Sequence, residues 1–396
     1  MNGGLPRGLV PLLSAANFVI GMGAFLIVGA LAPLARDLDM SASRAGWVLT
    51  SYAIGYAVLS PLLVSLTGEF GRRRVLTTGM VLFALGCAAS ALAPTDGALF
   101  AARVLAAAGA GLSTPVAAAV AAGLAPPERR GGTLALVFLG LTLAQVIGVP
   151  AGSWVAYAFG WRAAFWLVTG LAALAALMLW LRVPAGLRFH AVTLRDLRGV
   201  LADGRLMLAI LFTASFLGAI YVPYTYLSPL LEQTMGLGRD GVTAALAIYG
   251  CGAVAGNLLG GWLSDRLGPG RTLTLLALSQ IPLMTLLSTL PWSLPTTLAL
   301  FVIWALFGWS FMAGQQARLV ALAGPRAPVA IALNAAAIYV GAAIGATVGG
   351  AVVAQFGLSA LGFGGALAAA VAFGHMIWSR RMDDAAVGPA RTAPGP

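Results

Sequence analysis

Gly261-Trp262-Leu263-Ser264-Asp265-Arg266-Leu267-Gly268 joins two long apolar runs, and its reading decides the fold. A turn of Gly, Asp and Arg between helices too apolar for water is a polar hairpin at a membrane surface. The stretch has a counterpart 197 residues earlier, where Gly268 maps onto Gly71 within Leu66-Thr67-Gly68-Glu69-Phe70-Gly71-Arg72-Arg73. The same offset carries Tyr249 to Tyr52, Gly252 to Gly55, Gly345 to Gly148, Gly349 to Gly152 and Phe356-Gly357 to Phe159-Gly160. That offset is about half of the 396 residues, so the chain reads as one unit written twice. Internal symmetry of this kind underlies many secondary transporters.

Composition agrees. With 60% hydrophobic residues, 9% charged residues and a mean hydropathy of +0.93, the chain lacks the charged surface that water requires. Its 51 glycines suit membrane helices that pack backbone to backbone. The net charge of +11 comes from arginine alone, and with so few charges overall it does not describe a nucleic-acid surface. Cys87 and Cys251 both fall in apolar runs and read as buried small residues. His190 and His375 form no ligand spacing, so neither a metal nor a cofactor is expected.

Twelve apolar segments emerge when the sequence is broken at charge and turn clusters. They span about 9–34, 45–66, 75–94, 97–121, 132–158, 161–182, 205–232, 241–263, 271–290, 295–319, 328–354 and 359–379. Each can cross about 30 Å of hydrocarbon as a helix. The strand reading fails because Ala, Leu and Gly dominate without in/out alternation. The first segment is too long for a signal-peptide core and is read as a retained span. The expected fold is an all-α polytopic membrane protein, two six-helix halves related by a pseudo-two-fold axis. Residues 1–182 form the first half, 183–204 a cytoplasmic linker, 205–381 the second half and 382–396 a disordered tail. Thr193–Leu201 in the linker reads as a short amphipathic helix on the leaflet.

Arginine positions set the orientation. Arg36, Arg44, Arg162 and Arg239 fall on one side and Arg103 lies within a span. The other eighteen fall on the side of the termini. By the positive-inside rule both termini are cytoplasmic.

The pattern Gly-x-Leu-x-Asp-Arg-x-Gly, followed by Arg271, resembles the signature loop of the major facilitator superfamily. The first copy keeps Gly71, Arg72 and Arg73 but has Gly68 in place of the Asp. Gly148-Val149-Pro150-Ala151-Gly152, followed by Gly160-Trp161-Arg162, is similar to the antiporter motif of bacterial drug:proton antiporters. The nearest branch exports sugars, purine nucleosides and chloramphenicol. Arg103 with Gly109 and Gly111 is similar to that group's fourth-span arginine motif, with Ala106 and Ala107 replacing Gln-Gly. The resemblance implies a monomeric transporter of the bacterial inner membrane, not an enzyme. It would export a small organic molecule, with the proton as coupling ion.

In such a protein the loops latch the cytoplasmic face, with Asp265 set against a helix N-terminus and Arg266 and Arg271 holding helix ends or lipid. Gly148, Pro150 and Gly152 kink the fifth span and admit a close neighbour. Arg103 is the intramembrane charge, set to hold a substrate anion or tune a proton network, or else to snorkel to the outer headgroups or bond carbonyls of the first span. Cavity candidates on the spans the resemblance places inside are Asn17, Tyr52, Tyr56, Thr114, Gln145, Tyr221, Tyr224, Tyr249, Asn257, Gln315, Gln316, Asn334 and Tyr339. Pro223 and Pro229 should weaken the seventh span near its outer half. No acid stands clearly at mid-membrane, and Ala24 stands about where many members of the branch have a Glu. That absence favours an uncoupled facilitator of the same fold as the alternative. A membrane enzyme is a remote third reading, because no cluster of catalytic residues is evident.

Overall fold

A computed structural model describes residues 8–126, 130–187 and 194–387. Within them, 12 helical stretches are long and apolar enough to cross a membrane. The first four are α1 (Leu9–Asp37), α2 (Ala42–Leu66), α3 (Arg72–Leu92) and α4 (Asp96–Leu124). The fifth joins α5 (Arg130–Leu143), a π-helical turn (Ala144–Gly148) and α6 (Val149–Phe159), and α7 (Trp161–Arg182) completes the first half. After the short α8 (Leu194–Leu201), the seventh span is α9 (Gly204–Tyr224) plus α10 (Leu227–Met235). Then follow α11 (Arg239–Leu267), α12 (Pro269–Leu287), α13 (Leu294–Trp309) with α14 (Phe311–Ala323), α15 (Ala327–Phe356) and α16 (Leu361–Val387). An even number of spans puts the start of α1 and the end of α16 on one face, called here the termini face; the opposite side is the far face.

Local chemistry explains the boundaries. Ser41, Thr95, Asp203 and Ser293 each cap a helix by accepting a backbone N–H in its first turn. Gly160 and Gly357, related by the internal repeat, stop α6 and α15 with φ of 89° and 83°, a conformation that costs side-chain-bearing residues dearly. The two signature loops are not equivalent. Gly268 turns with φ 78°, whereas Gly71 sits at φ −60° and ψ 130°, where any residue fits.

Three spans are interrupted. Pro150 supplies no N–H to the turn before it, and the chain there widens into the π turn that carries Gln145. The seventh span breaks at Thr225–Tyr226, between Pro223 and Pro229, where weakening was expected. The break at Ser310 was not expected. Its hydroxyl bonds the carbonyls of Leu306 (2.6 Å) and Gly256 (2.7 Å), fastening the tenth span to α11. Within the second half α15 lies against α9 so closely that a Cβ on Gly341 would stand 2.7 Å from the Ala214 carbonyl oxygen.

Two expectations need correction. The tail was set to begin at 382, but α16 continues to Val387; residues 388–396 lie outside the described residues. Asp383 fixes this extension. Its carboxylate accepts bonds from Arg318 Nε (3.0 Å) and Nη2 (2.7 Å) and from Arg205 Nε (3.1 Å), tying α16 to α14 and α9. Arg318 is 5% exposed and also donates to Ser379 (2.6 Å). Cys251 is exposed on the outside of α11, and of the two cysteines only Cys87 is buried.

Removing a partner from a fully buried pair costs about 3–5 kcal/mol, and Asp383 is not fully enclosed. Asp383→Ala is therefore expected to lower the stability of the detergent-purified protein by about 2–3 kcal/mol. An unchanged thermal midpoint would show that the extension is not anchored by this carboxylate.

Candidate substrate cavity and the interface between the halves

The two halves meet through α2 against α15 and α11 against α6 and the π turn. At the far face Arg36 pairs with Glu232 (2.6 Å), and Tyr157 Oη lies 2.7 Å from Ser228 Oγ. One turn deeper the Tyr226 ring fills the space beside Gly46 and Gly350 while its hydroxyl donates to the Ala346 carbonyl (2.7 Å). Gly250 of α11 meets the π turn, where an added Cβ would stand 2.6 Å from Val146 Cα. A hydrogen bond from Tyr224 Oη to Gln145 Oε1 (3.0 Å) crosses the same seam.

Below this seal lies an aromatic layer. Tyr56 and Tyr339 stack across the halves with centroids 3.8 Å apart, and Tyr52 and Phe25 lie 6.0 and 6.3 Å from Tyr339. Phe25 also faces Tyr221 at 6.0 Å, and Tyr224, Tyr249 and Trp304 continue the layer in the second half. Towards the termini face this packing is not continued in the same way, since α11 packs on α6 and the π turn rather than on α5, the termini half of the same span. Asp265 is exposed and makes no hydrogen bond or ion pair among the described residues, and a Cβ added at Gly261 would meet open space. In this conformation the far end is closed and the signature loop is disengaged.

Most predicted cavity residues gather at this interface or just beneath it. Tyr52, Tyr56, Thr114, Gln145, Tyr221, Tyr224, Tyr249 and Tyr339 are all buried. Asn17 bonds the Val137 carbonyl (3.1 Å), with its own oxygen unpartnered. Gln315 and Asn334 form a separate cluster in the second half. Gln315 Nε2 donates to the Ala209 carbonyl (2.7 Å) and to Thr213 Oγ1 (2.9 Å), and Thr213 in turn donates to Asn334 (2.5 Å). Asn257 is half-buried and Gln316 exposed, and neither makes a hydrogen bond among the described residues. Sequence reading missed Phe25, Thr213 and Trp304, which look like ordinary core residues on a helix. Gly148 and Gly152 lie against Met22 and Leu26 of α1, while the π turn and α6 that carry the antiporter-like motif also meet α11 of the other half.

Arg103 is fully buried on α4. Its Nη1 and Nη2 donate to the carbonyls of Gly23 (2.9 Å) and Ala24 (3.1 Å), and its guanidinium lies 4.4 Å from the Tyr52 ring centroid. The alternative of bonding to the first span is the one observed. Burying a guanidinium costs several kcal/mol. Two charge-assisted bonds at about 1.5–3 kcal/mol each and a desolvated cation–π contact near 2 kcal/mol offset that cost without a carboxylate. Nε remains unpartnered. Among the described residues no Asp or Glu is buried, and no three of His, Cys, Asp and Glu gather as a metal site.

This arrangement of two six-helix halves around a central aromatic and polar layer is that of a membrane transporter. The chain belongs to the Major Facilitator Superfamily, whose family model matches residues 13–327. It is 33% identical over 376 residues to an uncharacterised transporter of this type, YtbD of Bacillus subtilis, covering 94% of this chain and 95% of that one. It is 31% identical to the inner membrane transport protein YdhP of Escherichia coli K12, covering 94% and 96%. A chloramphenicol resistance protein of Streptomyces lividans is 34% identical over 79% of this chain and 86% of its own length. Among solved structures, a bacterial homologue of the lysosomal transporter Spinster shares the fold with a TM-score of 0.75 at 18% identity, covering 94% and 96%.

Gly250→Leu is expected to prevent the far-end closure, since the added side chain would enter the Val146 backbone. Spin-label distances between the far ends of α1 and α10 should lengthen relative to the parent protein; unchanged distances would mean that closure does not depend on this contact.

Proposed function

We propose that this chain exports a neutral or weakly charged polar organic molecule by alternating access, in exchange for protons. The observation that carries the reading is the aromatic and polar layer between the halves. It holds tyrosine and glutamine groups and one carbonyl-bound arginine, with no buried carboxylate among the described residues to select a lipophilic cation. The similarity to a chloramphenicol resistance protein supports the outward direction.

The orientation proposed is termini in the cytoplasm. The charge pattern supports it, because all four far-face arginines lie against carboxylates: Arg36 on Glu232, Arg44 on Asp96, Arg162 on Asp37 and Arg239 on Asp240. Arg73, Arg74, Arg182, Arg266, Arg271, Arg380 and Arg381 have no ion pair among the described residues, and all lie at the termini face, leaving the uncompensated positive charge there. In this orientation the conformation described is open to the cytoplasm and ready to load an exported solute. Arg103 holds the substrate's electronegative group by its free Nε, and Asp265 latches the cytoplasmic face in the opposite state.

Reconstituted vesicles with an interior pH probe and an imposed pH gradient test this directly. Addition of a sugar, a nucleoside or an amphenicol should collapse the gradient for the transported class. Labelled-substrate flux without proton movement would instead support the uncoupled facilitator, the reading that the missing buried acid favours. Arg103→Ala should reduce flux at least tenfold, and normal rate and affinity would reduce Arg103 to an anchor. Asp265→Asn should slow turnover while leaving substrate affinity in place; wild-type turnover in that variant removes the latch.

A further inference from the structure

Away from the interface, the outer face of the first half carries a groove of about 480 Å³ between α3 and α7. Thr77, Val81, Ala84, Leu85 and Ala88 line it from α3, and Thr169, Ala173, Ala176, Leu177 and Trp180 from α7. Both helices contribute at the same spacing, i, i+4, i+7, i+8 and i+11, so each offers one continuous stripe. Ala84 and Ala176 are buried and make the floor, while Val81, Leu85, Leu177 and Trp180 stand exposed as walls. The groove opens sideways, towards hydrocarbon.

Its length and its charged end identify an occupant. From Thr77 to Ala88 the helix rises about 16 Å, close to half of a ~30 Å hydrocarbon core. One leaflet's acyl chain therefore matches the groove from mouth to end. The mouth lies at the termini face. There the Arg73 guanidinium rests 4.5 Å from the Trp180 ring centroid, with Arg74 just before the groove on α3 and Arg182 just beyond it on α7. None of the three has a carboxylate within ion-pair distance among the described residues, and Glu69, the acid of that loop, is exposed and makes no ion pair with them. A cation held over an indole at headgroup depth, with further arginines on both helices, suits a phosphate.

We propose that the α3–α7 groove is a binding site for an anionic phospholipid of the termini-side leaflet. One acyl chain lies along the alanine floor, and the headgroup phosphate bonds Arg73 with support from Arg74 and Arg182. The site lies wholly within one half, so the lipid acts on the stability of that half rather than on the contact between halves.

The test is thermal unfolding of the delipidated full-length protein in detergent. Dioleoylphosphatidylglycerol is titrated in, with dioleoylphosphatidylcholine as the zwitterionic control. Phosphatidylglycerol should raise the midpoint by a few degrees, increasing with its concentration as ligand linkage requires, and phosphatidylcholine should raise it less. Arg73→Gln should abolish the difference between the two lipids. Ala173→Leu, which fills the groove while leaving the arginines intact, should abolish the phosphatidylglycerol shift itself. Equal shifts from both lipids, or a full phosphatidylglycerol shift in either variant, would overturn the site. If a variant is too unstable to titrate, native mass spectrometry of the parent protein decides. Retained phosphatidylglycerol in preference to phosphatidylcholine supports the site, and equal retention refutes it.

Discussion

The two halves of this transporter are held together over one part of their shared surface, the part away from the termini. What closes it is packing. Gly46, Gly250 and Gly350 have no side chains, and their neighbours come within distances that a Cβ would forbid. Tyr226 and the π turn at Val146 fill the space so created. The ion pair of Arg36 with Glu232 sits at the rim, with Arg36 61% exposed, where such a pair contributes about 0–1 kcal/mol. Aromatic pairs such as Tyr56–Tyr339 contribute about 0.5–1.5 kcal/mol each beyond burial. A handful of such terms holds the closed end firmly enough to populate it. The sum is still small enough that a bound solute can tip the balance, as alternation between two states requires.

The same economy governs charge. Membrane interiors tolerate an ion only when its donors and acceptors are matched, and Arg103 is matched almost entirely by backbone. Carbonyls of Gly23 and Ala24 serve it because α1 and α4 lie close together and the residue at 24 is small. Unlike a carboxylate, a carbonyl cannot take up a proton, so this arginine keeps its environment as the pH changes. On the far face each of the four arginines has a carboxylate partner, with Asp39 left over, and the surplus arginines remain on the termini face, where anionic headgroups can serve them.

Much of this was legible in the sequence because the bilayer imposes a length. Runs of about twenty apolar residues bounded by charge gave twelve spans, and the repeat at 197 residues placed the symmetry-related stops at Gly160 and Gly357. Proline marked two of the three interruptions because its missing N–H is written in the residue itself. Ser310 gave no such signal, since serines are common inside membrane helices and its bond to the Gly256 carbonyl of a neighbouring helix is not written in the local sequence. Cavity tyrosines were found by their polarity within apolar runs. Phe25 and Trp304, equally part of the aromatic layer, were not, because an apolar ring on a membrane helix has the same composition whether it faces lipid, core or cavity.

Asp383 shows the limit most clearly. Sequence reading ended the last span at 379 and the second half at Arg381 because a following run of Asp, Ala, Gly and Pro resembles a solvated tail. That inference weighs each residue against water. The carboxylate is in fact weighed against Arg318, a guanidinium 95% enclosed by its own bundle that would otherwise be left without a counter-charge. Arg318 is far away in sequence and, read alone, is one more positive charge marking the cytoplasmic side. Pairing the two requires knowing that α9, α14 and α16 converge at one end of the second half. The helix extends because it carries the acid to that point, so its boundary is set by a charge balance in space rather than by any property of the residues that form it.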